Sequence, residues 1–229
     1  MATLSSETVQ NILEAISDLR GESTVNTDSS RIRAVSKMER SFAKRMFWRT
    51  HLLKDQTQNG DGSTSIFTIG SATFPFRMKG LEEVFVGGTT EDKRHSVVDF
   101  NRFKNLYNND NSAKIVYEYY DSANDLWKMK VNPVPANGDV ITYSYFYEPP
   151  KRTLTTDIVV CPNMEIIIRG ALAEIYESED ETQKALLLKQ EVEQLIEELM
   201  GIENAPAVNQ LYSVASSINS IKNHGIGNY

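Results

Sequence analysis

The chain has 229 residues, 40% hydrophobic and 24% charged, the composition of a globular protein with one large domain or two small ones. Its single cysteine, Cys161, excludes an internal disulfide framework; with no basic-then-apolar leader and no apolar run of membrane-spanning length, the expectation is a soluble protein made in the cytoplasm, without membrane contact. The net charge of −7 is uneven: between Arg31 and Lys54 eight Lys/Arg face one acid, Glu39, and between Glu174 and Glu203 ten acids face two lysines.

The first 50 residues predict two helices. Val9, Ile12, Leu13, Ile16 and Leu19 recur at helical spacing after serines suited to capping, and Gly21 ends the run. A second helix starts near Thr27 or Asp28, with Ile32, Val35, Met38, Phe42 and Met46 on its apolar face. Arg33, Lys37, Arg40 and Lys44 form a cationic stripe of the same period. From His51 to Arg152 β-branched and aromatic residues dominate, broken by Gly, Asn, Asp and Pro clusters. Ser65–Ile69 and Leu81–Val86 read as strands, Val98–Tyr107 as a short helix. Lys114–Tyr120, Leu126–Val131 and Asp139–Tyr147 read as a three-stranded antiparallel meander. After Pro149-Pro150 a linker reaches Cys161-Pro162, with Pro162 as the first residue of a third helix carrying Ile166, Ile167, Leu172, Ile175 and Tyr176. A fourth carries Leu187, Leu188, Val192, Leu195, Ile196 and Leu199 and stops at Gly201.

The expected fold is therefore α+β: a small antiparallel four-helix bundle (residues 1–50 and 153–201) with an inserted antiparallel β module (51–152) and an extended C-terminal tail (202–229). In that tail Leu211, Val214, Ile218 and Ile221 make a helical stripe too thin to fold alone. It is expected to be held by a partner or a neighbouring copy, or to fold back on its own bundle.

Motifs for chemistry are sparse. His51, His95 and His224 have no companion at metal-ligand spacing, so no metal or other cofactor is expected. Cys161 reads as a structural thiol. Ser41-Phe42-Ala43-Lys44 matches the S-x-x-K of serine acyl-enzymes without its companion motifs. Asn59-x-Asp61-Gly62 echoes a calcium loop, but Thr57 and Thr68 stand where acidic ligands belong. No phosphate-cradling glycine loop or base-reading motif is present, and no catalytic residue is assigned.

The order of features carries more. Two helices running into Phe47-Trp48, a Gly-Asp-Gly turn with a strand, Asn132-Pro133-Val134-Pro135, an aromatic strand ending Tyr147-Glu148-Pro149-Pro150, then helices over Ile166–Tyr176 and Ala185–Leu199 together resemble the head–tail adaptor (connector, or head-completion) proteins of tailed bacteriophages. The pattern departs at Phe74-Pro75, where a Leu-Pro turn is expected. The resemblance implies a non-enzymatic structural protein of the virion neck, forming a ring of commonly about twelve copies under the portal protein. Such a ring extends the DNA channel and presents a surface to a tail or nozzle protein. It also implies that the C-terminal extension grips the portal, here through Leu211, Tyr212, Val214, Ile218, Ile221 and Tyr229.

A ring needs two complementary sides. The basic stripe Arg33, Lys37, Arg40 and Lys44 could meet the acids Glu191, Glu193, Glu197 and Glu198 of the next copy, or face the portal or, non-specifically, packaged DNA. Solvated helix faces would look the same. The alternative is a soluble, carbohydrate-type binding module using Tyr119, Tyr120, Trp127, Tyr143 and Tyr145.

Overall fold

The computed structural model describes residues 5–69, 77–109, 112–124 and 126–223, with 203–223 as backbone only. Helix α1 (Val9–Arg20) begins where the Thr8 hydroxyl accepts the Asn11 N–H, buries Val9, Ile12, Leu13 and Ile16, and ends on Gly21 in the left-handed region (φ 68°). Leu19 lies off that stripe and is exposed. Helix α2 (Ser29–Arg45) buries Ile32, Val35 and Phe42. Helix α4 (Met164–Ser178) is apolar nearly all round, with Ile166, Ile167, Ala171, Leu172, Ala173 and Ile175 buried; accordingly α1, α2 and α5 all pack on it. Its cap is Asn163, whose side chain accepts the Glu165 N–H, so Pro162 precedes the helix instead of opening it.

Helix α5 (Thr182–Asn223) does not stop at Gly201. Gly201 is absent from the left-handed glycines, so it makes no C-cap, and the helix absorbs it at a cost of about 1 kcal/mol. Leu199 is its last buried side chain among the described residues, and Leu187, expected inside, is 62% exposed. At 1.5 Å per residue α5 is about 63 Å long against about 22 Å for α4, so its second half outruns its partner. Short strands β1 (Ser5–Thr8) and β9 (Ile158–Cys161) pair antiparallel and close this helical layer.

The second layer is larger than an inserted module. Strands β2 (Leu52–Asn59), β3 (Ile66–Thr68), β4 (Arg77–Val86), β5 (Arg94–Val97), β6 (Ile115–Asp121), β7 (Leu126–Asn132) and β8 (Val140–Glu148) form one seven-stranded sheet in the order β2-β8-β4-β5-β6-β7-β3. The sheet is mixed and curls into a half-barrel around Phe67, Met78, Val84, Val116, Met129, Val131, Ile141, Tyr143 and Tyr145. The expected small four-helix bundle with an antiparallel insert is thus corrected: among the described residues there are five helices and this mixed sheet. β5 and β6 are parallel, joined by helix α3 (Phe100–Asn109) as the crossover that parallel strands require.

The expected meander is also corrected. β6 and β7 pair as a hairpin, but β3 takes the other edge of β7, and β8 crosses to lie between β2 and β4. Burial gives the reason: Ile141 to Phe146 are six consecutive buried residues, the pattern of a central strand covered on both faces. The crossing is secured where Gly60 N–H donates to Asp139 O (2.8 Å) and Gly138 N–H to Gly60 O (3.0 Å). A Cβ on Gly60 would lie 2.7 Å from Ala136 O and 2.9 Å from Pro135 Cβ. Gly60→Ala is therefore expected to lower stability by about 1–3 kcal/mol, measured by urea unfolding, because backbone must move.

Helices and sheet meet at a dense joint. Trp48 stacks on Phe42 (centroids 4.3 Å) and donates its indole N–H to Phe42 O (2.8 Å). His51 abuts Tyr147, and the Lys79 ammonium of β4 donates to Ala43 O (2.8 Å) and Met46 O (2.6 Å), covering the C-terminal end of α2.

Candidate functional site

With its apolar side sealed against α4, α2 turns Arg33, Lys37, Arg40 and Lys44 outward over three turns. A fifth cation joins them from far along the chain. Arg152 grips the buried Glu39 carboxylate with two bonds (2.7 Å each), while its backbone N–H donates to Ser36 Oγ (2.9 Å). This lays the segment after Pro149-Pro150 along α2 and sets Lys151 beside the stripe. The resulting groove, about 330 Å³, is lined by Arg33, Ser36, Lys37, Arg40, Ser41, Lys44 and Lys151, and no carboxylate lines it. Arg40 Nε is buried there without a hydrogen-bond partner, an uncompensated donor beside concentrated positive charge. Helical period exposes the stripe in the sequence; Lys151, over a hundred residues away and dependent on the Arg152 grip, has no local signal.

The acidic candidates are partly spent within the chain. Glu193 pairs with Arg45 of α2, and Glu191 with Arg169 of α4 (2.5 Å), which also holds Glu165 (2.8 Å). Lys37 likewise pairs with Glu174 of α4. Glu197 and Glu198 make no ion pair with a described residue and are exposed. Two pairs, Lys37–Glu174 and Arg45–Glu193, therefore bind α2 to its own neighbours α4 and α5. Of the tail candidates, Leu211, Tyr212, Val214, Ile218 and Ile221 fall on the backbone-only part of α5; their side chains, with Tyr229 and His224, lie outside the described residues, as does Phe74-Pro75.

The aromatic strands present less than their sequence suggested. Tyr143 and Tyr145 are in the half-barrel core, Tyr119 and Trp127 are half-buried, and only Tyr120 of the five is exposed. Cys161 is fully buried, its thiol pushed up to about 12, and therefore inert. Asp61 spends its carboxylate on the Ser63 and Thr64 N–H groups (2.8 and 2.7 Å), a turn with no need of calcium. Among the described residues no cluster of His, Cys, Asp and Glu could hold a metal ion, and no helix is long and apolar enough to cross a membrane. No protein-family model matches the chain, and no curated protein matches it.

Proposed function

We propose that the protein is a head–tail adaptor: a structural subunit that joins the portal protein of a virion neck to a tail or nozzle protein as a homo-oligomeric ring. The order of sequence features supports this, and the observation that carries it is α5, a helix about 63 Å long (at 1.5 Å per residue) of which the described side chains are buried only up to Leu199. An arm that outruns its own core is suited to reaching a neighbouring subunit. Because Glu191 and Glu193 are paired internally, the acidic side left for contacts between copies is Glu197 and Glu198.

Native mass spectrometry of the purified chain, alone and with its portal ring, tests the reading. The expected result is a monomer alone and about one copy per portal subunit in the mixture, on the order of twelve by ring symmetry. Removing residues 202–229 deletes no side chain buried in the described core, so the truncated chain should keep its thermal melt and lose portal-dependent assembly. Full assembly by the truncated chain would refute the role of the arm.

A further inference from the structure

The groove on α2 has chemistry of its own. Four of its five cations, Arg33, Arg40, Lys44 and Lys151, have no acidic partner among the described residues, and the carboxylate bonded to the fifth is Glu174 on Lys37. We propose that this groove is a binding site for the phosphodiester backbone of double-stranded DNA, reading charge and not sequence. The inference goes beyond the adaptor reading and does not depend on ring formation, since the groove is complete within one copy.

Charge decides between a duplex and a second copy of the chain. The acidic face that could enter the groove offers Glu197 and Glu198, because Glu191 and Glu193 are held by Arg169 and Arg45. Two carboxylates leave an excess of positive charge. A duplex carries a charge about every 1.7 Å of its axis, so it matches the whole stripe from Arg33 to Lys44, about 16 Å of helix. The stripe's spacing lets successive cations reach successive phosphates without contact to base edges.

The site is also prepared in advance. Glu39 and Ser36, on the turns of α2 between the stripe residues, fix Arg152 and hence the chain beside Lys151. The cations therefore converge before any ligand arrives, which lowers the ordering cost of binding. The unpartnered Arg40 Nε gains an acceptor when the guanidinium swings onto a phosphate.

The test is fluorescence anisotropy of a labelled mixed-sequence duplex of about 30 base pairs with the full-length chain, between about 50 and 200 mM KCl. Four phosphate contacts predict that affinity falls about 150-fold over that range, at a slope near −0.9 per contact. The double variant Arg33→Gln/Lys44→Gln should bind more weakly at the lower salt and lose only about 12-fold across the range, with its thermal melt unchanged. Arg94→Gln/Lys104→Gln, exposed cations elsewhere, removes the same charge and should leave the slope as in the parent. Absence of binding at the lower salt, or an equal slope change in both double variants, overturns the proposal. So does a groove variant that leaves duplex binding intact and impairs association between copies, which would assign the groove to a neighbouring subunit.

Discussion

Replacing Glu39 by alanine is expected to lower stability by about 3–5 kcal/mol in urea unfolding, among the largest effects of any single substitution in the molecule. Glu39 is 0% exposed and sits on the polar flank of an otherwise apolar helix layer. Its two oxygens meet Arg152 Nε and Nη2, and Oε1 also accepts the Val160 N–H at 3.2 Å. Burial holds the carboxyl's pKa above its ordinary value, and the two-pronged bond from the Arg152 guanidinium opposes that rise. Alanine would leave Arg152, only 13% exposed at its side chain, as an uncompensated charge, and would orphan the Val160 N–H of β9. The double change Glu39→Met/Arg152→Met removes both charges and should lose less than the single one, as coupled pairs do. A loss below about 1 kcal/mol for Glu39→Ala would show that solvent reaches Arg152 and that the grip is loose. The single variant should also weaken duplex binding, because Lys151 loses its anchor.

Helical elements were legible because their signal is local. The i, i+3, i+4 recurrence of Val9, Ile12, Leu13 and Ile16, or of Val192, Ile196 and Leu199, reports a buried face directly, and all seven are buried. The sheet was legible in content and not in order. Its missed members are β2, whose Lys54-Asp55-Gln56-Thr57-Gln58 run is polar, and β5, four residues with only His95 buried. Neither carries the apolar alternation on which strand recognition depends, yet β2 forms one edge of the sheet and β5 joins β4 to β6 in its middle. β8 is recognisable as a strand, and the binding-module alternative needs its Tyr143 and Tyr145 on an exposed face. Burial of both its faces is a tertiary fact, visible once β2 and β4 flank it. The cationic stripe is likewise legible as a period, whereas the pairing of its Lys37 with Glu174 and its completion by Lys151 are products of packing. Composition therefore cannot separate the charge that holds the helix layer together from the charge that stays unpaired among the described residues.

Acid should act first at the joint between the layers. His51 is 1% exposed, wedged between Phe42 and Tyr147, with Nε2 unpartnered and Thr50 Oγ1 3.3 Å from Nδ1. Burial, then the positive charges of Lys79 and Arg152, lowers its pKa from 6.5 to about 4. The sign follows from which state takes up the proton. Between those two values the unfolded chain binds a proton at His51 and the folded chain does not, so stability falls as pH falls. The contribution is complete above about pH 6.5 and gone below about pH 4, a loss of about 3 kcal/mol across the window. His51→Phe keeps a ring between Phe42 and Tyr147 without the titrating nitrogen. Its unfolding free energy should match or exceed the parent's at pH 7 and decline less between pH 6.5 and 4. Glu22, held down to about 2 by Arg31, then Arg20 and Ser17, contributes in a lower window, from about pH 4.5 downward. The two effects therefore separate on the pH axis, and a parent and variant that decline in parallel from pH 6.5 would show that His51 is protonated within the fold. In that case the Lys79 ammonium over the end of α2, also placed at this joint, would have to yield to accommodate the second charge.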